Sequence, residues 1–318
     1  MWLPVDRHPV TLSNPVKGQV THMIAHRKPH LRGADVITLV AGFVLVFFYQ
    51  MSAVTWATSD SVDDPYSIPF LETNFVISHR GDVAEHPENA FSGLRFAYNC
   101  GVRLIEIDVQ MTQDMIPIAF HDASLDRTTN GSGPIGDVTW SQIKGLDAGG
   151  YFSDDFSGEA IPRMSEVFQW LHERPDLVLW VHLRFIEGDD VFSALLRECS
   201  VEPQVVIQVD AGEVDRLSFY QDCLGRAAII REPLLPFVIA NIAACRAHNV
   251  TFMTVMDVLA SQYLYEVTDS NGIRLMLTRN FDADESHVTS RFADGAWGYI
   301  LDSARVAGEI QQHLESVD

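Results

Sequence analysis

From Phe75 onward, short runs of aliphatic and aromatic residues recur between stretches with helical spacing. Strands are predicted at Phe75–Ser78, Leu104–Val109, Val178–Leu183, Gln204–Val209, Ala227–Ile230, Thr251–Met256, Ile273–Leu277 and Trp297–Leu301. Helical patterns fall between most of them, as at Ala90–Asn99, Ser165–Glu173, Leu234–His248 and Val258–Tyr265. Eight such repeats within about 245 residues predict an α/β fold, a (β/α)8 TIM barrel. An open doubly wound sheet is the alternative, but no Gly-rich phosphate loop follows the first strand to support it.

One apolar run stands outside the repeat. Ile116–Phe120 begins too soon after Asp108 for a right-handed crossover through a helix, so it is expected to return antiparallel to the second strand. Thr112-Gln113-Asp114 reads as the turn, with Met115 ill-suited to a left-handed backbone there. The Gly- and Asp-rich stretch Asp122–Arg163 then shows no clear strand and is expected to be a long insertion covering the barrel mouth.

The N-terminal pattern differs again. No Asp, Glu, Lys, Arg or His occurs from Val36 to Ser59, and roughly 20 apolar residues span a hydrocarbon core. Residues 36–58 are therefore expected to form one N-terminal transmembrane helix, an uncleaved anchor. Thr55-Trp56-Ala57 leaves a cleaved signal peptide as the competing reading. Arg7, Lys17, Arg27, Lys28 and Arg32 precede the segment, and Asp60, Asp63 and Asp64 follow it. Positive charge stays inside. The expected layout is a basic cytoplasmic tail (1–35), the anchor (36–58), a linker (59–74) and a periplasmic or extracellular barrel domain (75–318).

The 318 residues carry 22 Lys plus Arg against 43 Asp plus Glu, a net charge of −21, which excludes a phosphate-tracking nucleic-acid binder. An apolar fraction of 47% supports a sizeable core and excludes a disordered chain. Cys100, Cys199, Cys223 and Cys245 fall in or beside core elements and are expected as buried thiols rather than disulfides.

Strand side chains alternate faces. In the second strand Ile105, Ile107 and Val109 must meet the helices, which turns Glu106 and Asp108 into the barrel near its C-terminal end. Two carboxylates there repel unless a cation lies between them. On the next strand Trp180, His182 and Arg184 share a face. His79 and Arg80 end the first strand, and His121 and Asp122 end the hairpin. Histidines, acids and arginines converging at strand ends suit metal-assisted phosphodiester cleavage.

The motifs His79-Arg80-Gly81, Pro87-Glu88-Asn89, Glu106-Ile107-Asp108-Val109, His121-Asp122 and Leu125-Asp126-Arg127-Thr128-Thr129-Asn130-Gly131, with Asp294-Gly295 and Leu301-Asp302, resemble the glycerophosphodiester phosphodiesterase family. The resemblance is strong over about residues 75–165. It implies hydrolysis of glycerophosphodiesters to glycerol 3-phosphate and an alcohol, by way of a cyclic phosphate. His79 and His121 would be the acid–base pair, Arg80 a phosphate contact, and Glu106 and Asp108 ligands of a divalent ion, Mg or Ca.

The third strand departs from the family's Ile-Glu-Ile-Lys, reading Val181-His182-Leu183-Arg184. Arg184 keeps a phosphate-binding charge and adds a planar fork. Imidazole favours Mn or Zn over Ca. His182 is thus expected to ligate a softer ion, to weaken a Mg or Ca site, or to touch substrate instead. A lysophospholipase D-like or sphingomyelinase D-like activity, with Tyr151, Phe152 and Phe156 as an apolar wall, is the second enzymatic reading. An inactive binding module of the same fold is the third. Partners expected are a small phosphodiester or lysolipid and, through the anchor, a membrane.

Overall fold

The computed structural model describes residues 73–317 except 186, 214–215, 221–228, 233–241, 244, 249 and 279–282. The anchor expected at 36–58, most of the linker, Cys223 and most of the helix expected at Leu234–His248 lie outside the described residues. Among the described residues no helix is long and apolar enough to cross a membrane.

In chain order the main elements are β1 (Phe75–Ser78), α1 (Phe91–Asn99), β2 (Leu104–Met111), β3 (Pro117–Ala119), α2 (Trp140–Ile143), α3 (Met164–His172) and β4 (Val178–Leu183). Then come α4 (Asp189–Cys199), β5 (Val205–Asp210), β6 (Ile229–Glu232), β7 (Phe252–Met256), α5 (Gln262–Asp269), β8 (Arg274–Thr278), α6 (Glu285–Asp294), β9 (Gly298–Leu301) and α7 (Ala304–Val317). Eight of the strands pair in parallel, in the order β1-β9-β8-β7-β6-β5-β4-β2, and β1 also pairs with β2. The result is the expected TIM-barrel-like fold. β3 joins β2 antiparallel, Val109 opposite Ala119, as the short spacing required.

Side-chain alternation divides the core in two. Ile105, Ile107, Val109, Val181, Leu183, Ile207 and Val255 face the helices. Phe75, Ile77, Leu104, Trp180, Val206, Phe252, Met276 and Ile300 fill the barrel interior. Phe75, Trp180 and Phe252 form a ring cluster there, with centroids 5.9–6.5 Å apart. Each such side chain contributes about 1.5–3 kcal/mol on burial. Position 298 must be glycine: a Cβ would stand 2.5 Å from the Phe75 ring.

Three expectations change in detail. Met115 does adopt a left-handed backbone, φ 58°, so the hairpin keeps the turn and accepts the strain that a side chain brings. The helix expected at Val258–Tyr265 is instead a short 3-10 turn at Asp257–Leu259 followed by α5. Ser261 caps α5 by accepting from the Leu264 amide, and its extended backbone separates the two pieces. Asn89 directly precedes the helix expected at Ala90–Asn99 and is of a type that caps helices, yet it does not cap α1; Ala90 holds that position without a side-chain bond.

Residues 122–163 form a substructure with its own small core, in which Ile118, Phe120, Leu125, Ile135, Ile143, Ala148 and Ile161 are buried together. It returns beside its point of departure, since Ile118 bridges Arg163 and the Ala119 amide donates to Pro162 O. Cys100, Cys199 and Cys245 are free thiols; Cys245 is buried, the other two half-buried.

Candidate active site

A cavity of about 430 Å³, counting its open mouth, is lined by His79, Arg80, Glu106, Asp108, His121, His182, Gln208, Thr254, Thr278 and Ile300. The aromatic interior lies below it, with Trp180 Nε1 donating to Gln208 Oε1 at 2.8 Å where apolar filling gives way to polar groups. Six of the seven residues singled out from the sequence therefore share one cavity. The seventh, Arg184, follows β4 and lies with Nη1 3.7 Å from Asp210 Oδ2.

The His79-Arg80-Gly81 turn is built from backbone. Arg80 takes φ 48° and Gly81 φ 87°, and a Cβ at Gly81 would lie 2.9 Å from the Leu94 amide nitrogen of α1. This sharp exit from β1 lets the Arg80 amide donate to Glu106 Oε2 at 2.8 Å. The Arg80 guanidinium stands between Glu88 (2.9 Å) and Asp108 (3.1 Å).

Both histidines are held through Nδ1. His79 Nδ1 donates to Asp302 Oδ1 at 2.7 Å, joining the ends of β1 and β9. His121 Nδ1 donates to Asp122 Oδ1 at 2.6 Å. An ionised aspartate can only accept, so each bond fixes the ring proton on Nδ1 and leaves Nε2 for proton transfer. Asp122 is gripped in turn by Arg127 Nε at 2.6 Å, and Arg127 also forks onto both oxygens of Glu88 at 2.7 Å. A hydrogen bond from His121 to Asp122 thus continues as ion pairs through Arg127, Glu88 and Arg80 to Asp108.

Electrostatics follow this wiring. Burial pushes Glu106 up, and the Asp108 charge pushes it further in the same direction. Burial also acts to raise Asp108, but the nearby His182 and the charge of Arg80 outweigh it, so Asp108 is held far below the usual carboxylate range. For His121, burial lowers the pKa; the pull of Asp108 the other way does not cancel it. Burial likewise works against a charged His182, yet the surrounding carboxylates Asp108, Asp210 and Glu106 raise it overall.

Glu106, Asp108 and His182 each present a ligand atom within 4.8 Å of the others, and all three are buried. Asp108 Oδ2 is occupied by Arg80 and by Asn89 Nδ2. Asp108 Oδ1 is buried without a hydrogen bond; His182 Nδ1 is 3.2 Å away but off the line that such a bond needs. An orphaned carboxylate oxygen beside a second acid and an imidazole fits a divalent cation.

Three contributors escaped the sequence reading. Asn89, in a left-handed conformation at φ 58°, accepts from the Asp108 amide at 2.9 Å and donates to its carboxylate at 3.2 Å. The Pro87-Glu88-Asn89 motif carried the signal, but Asn89 serves the neighbouring strand β2 rather than the adjacent helix. Asp302 belonged to a recognised motif without an assigned task. Asp210 lies one residue beyond the predicted end of β5 at Val209; the face shared by Val206 and Gln208 extends to it.

The long insertion meets the site through Asp122 and Arg127, which hold His121 and Glu88, while none of residues 122–163 is among the residues lining the cavity. Tyr151, Phe152 and Phe156 stack on one another, Phe156 against His86, and are no wall of the cavity; Tyr151 OH accepts from the Glu88 amide.

Comparison with known proteins accords with this geometry. Residues 79–187 match the model of the Glycerophosphoryl diester phosphodiesterase family. A glycerophosphodiester phosphodiesterase of Caldanaerobacter subterraneus is 45% identical over 103 residues, 32% of this chain and 42% of the relative. The human glycerophosphodiester phosphodiesterase 1 is 39% identical over 92 residues, 28% of each chain. The chain thus spans less than half the length of the curated relatives it first matches. A solved glycerophosphodiester phosphodiesterase from Agrobacterium tumefaciens superimposes with a TM-score of 0.61 at 25% identity, covering 74% of this chain and 99% of that one. An Oleispira antarctica phosphodiesterase solved with sn-glycerol-3-phosphate gives 0.63 at 21% identity, covering 77% and 98%. The segment similar to the Glycerophosphoryl diester phosphodiesterase family, residues 79–187, contains all seven residues singled out from the sequence.

Proposed function

We propose that this protein hydrolyses glycerophosphodiesters to glycerol 3-phosphate and an alcohol. The observation that carries the reading is one cavity lined by two histidines, each tethered through Nδ1 to an aspartate, and by a buried Glu–Asp–His group with Arg80. The relatives' names and the product bound to the Oleispira enzyme support the same substrate class.

In this reading His79 and His121 work through Nε2, one accepting the proton of the attacking hydroxyl and the other delivering a proton to the leaving oxygen. Asp302 and Asp122 keep both rings in the required tautomer and steady each imidazolium as it forms. Arg80 and Arg184 orient the phosphate, Arg80 with the donors that Glu88 and Asp108 leave over. Glu106, Asp108 and His182 would hold the divalent ion. When bound, that ion supplies Lewis-acid stabilisation of charge on the phosphoryl oxygens. Attack by the glycerol 2-hydroxyl would give a cyclic phosphate that water then opens.

The test is release of glycerol 3-phosphate from glycerophosphocholine by the purified protein after chelation and after return of Mg, Ca, Mn or Zn. His79→Ala and His121→Ala should each lose about 10²–10⁴-fold in rate. Absence of hydrolysis with every ion, or near-normal turnover in both variants, rejects the assignment.

We propose also that residues 36–58 anchor the chain with its N-terminus in the cytoplasm, on the strength of their uncharged composition and the basic residues before them. Carbonate-resistant membrane fractionation with protease protection tests it. Recovery of the protein in the wash would refute the anchor.

A further inference from the structure

The resemblance stated above leads one to expect a glutamate where β4 has His182, so the site lacks one negative charge that such a centre would use. The neighbouring strand answers this loss. Asp108 of β2, His182 of β4 and Gln208 of β5 lie in register across three paired strands. Asp210 is one inward step further along β5, toward the mouth. The His182 ring is 3% exposed and lies between two carboxylates: Nδ1 is 3.2 Å from Asp108 Oδ1, and Nε2 is 3.4 Å from Asp210 Oδ1. Nε2 is buried and makes no hydrogen bond as placed.

We propose that Asp210 is the positioning residue of a mixed nitrogen–oxygen metal centre. His182 takes the ion through Nδ1, sharing it with Asp108 Oδ1 and with Glu106, and turns its Nε2–H to Asp210. Nδ1 and the orphaned Asp108 Oδ1 face the same space, so Nδ1 is the nitrogen that can share a ligand with it. A metal-bound imidazole needs an acceptor for its other N–H, and Asp210 is the carboxylate at that end of the ring. Arg184 stands 3.7 Å from the other Asp210 oxygen, which links the phosphate-binding side to the metal side.

The inference rests on the metal-dependent reading of the site but makes a separate claim, that the donor set has moved from three oxygens to two oxygens and a nitrogen. Such a set favours Mn²⁺, Co²⁺ or Zn²⁺ over Ca²⁺, which prefers oxygen alone.

The experiment is metal binding by the metal-stripped protein, with Mn²⁺, Zn²⁺ and Ca²⁺ titrated calorimetrically and Co²⁺ followed by its visible spectrum. Wild type should bind Mn²⁺ and Zn²⁺ more tightly than Ca²⁺. Asp210→Asn should weaken Mn²⁺ about 10–100-fold. His182→Glu should reverse the order of Mn²⁺ and Ca²⁺ and remove the nitrogen signature from the Co²⁺ spectrum. Near-ultraviolet circular dichroism of each apo variant confirms that it is folded. Mn²⁺ affinity in Asp210→Asn within twofold of wild type would overturn the role of Asp210. An unchanged metal order in His182→Glu would overturn the mixed donor set. Neither result touches the hydrolysis assay, so a failure here stays distinct from a failure of the activity.

Discussion

Asn89 offers the sharpest test of how the site is built. Its side chain makes two hydrogen bonds to one residue, accepting from the Asp108 amide at 2.9 Å and donating to the Asp108 carboxylate at 3.2 Å. Both residues are essentially inaccessible, at 2% and 1% exposure, so water cannot replace what is removed. Asn89→Ala strands a buried amide and takes a donor from a buried carboxylate, at about 1–3 kcal/mol for such a group. It also places a Cβ-bearing residue without a polar side chain at φ 58°, adding about 1 kcal/mol. The expected loss is about 2–4 kcal/mol. With a urea m-value of about 2 kcal/mol per molar, the unfolding midpoint falls by about 1–2 M. Asn89→Gly keeps the backbone shape and loses the same amide, so its midpoint should lie between the two. Midpoints for Asn89→Ala and wild type that coincide within about 0.2 M would refute the reasoning, because they would mean that Asp108 is held by Arg80 and its strand alone.

Other outcomes follow from the packing and the charges. Gly298→Ala drives a methyl into the Phe75 ring and should cost about 1–3 kcal/mol, read as a lower thermal midpoint; Phe75→Leu in the same chain should restore part of it. Arg127 hydrogen bonds hold the Asp122 carboxyl well below the ordinary carboxylate range. A depressed carboxylate stabilises the fold above its unfolded value, near pH 4, and the contribution fades as pH falls towards its folded value. Arg127→Gln should therefore flatten the loss of thermal midpoint between pH 5 and about pH 3, modestly, because the pair is partly solvated. Parallel curves for the two proteins would remove Arg127 from that account.

The barrel was readable because its strands are buried on both faces and obey a period of two. Phe75–Ser78 and Val178–Leu183 stand as expected, and the parity that turned Glu106 and Asp108 inward is borne out by Ile105 and Ile107 in the outer core. Strand ends were less legible, and the ends line the cavity. A one-residue shift of β5 decides whether Asp210 is a loop acid or a member of the inner face. The Val258–Tyr265 pattern hid a break because apolar spacing continued through Ser261, whose hydroxyl starts a new helix. Asn89 was opaque for a different reason. Its partner is 19 residues away on another element, and local propensity says nothing about a bond of that kind.

The bond from His79 to Asp302 carries a consequence for how the molecule is made. It ties the first strand to the residue just after the ninth, while Asp82 accepts from the Ala304 amide to fasten the same seam. A chain emerging from the ribosome holds His79 early and must wait more than two hundred residues for its partner. A product terminated after His182 but before Asp302 would keep the residues of the Glu–Asp–His cluster yet lack the carboxylate that holds His79. The orientation of His79 is thereby reserved for copies elongated past Asp302, and closure of the barrel seam and aiming of the ring become one event.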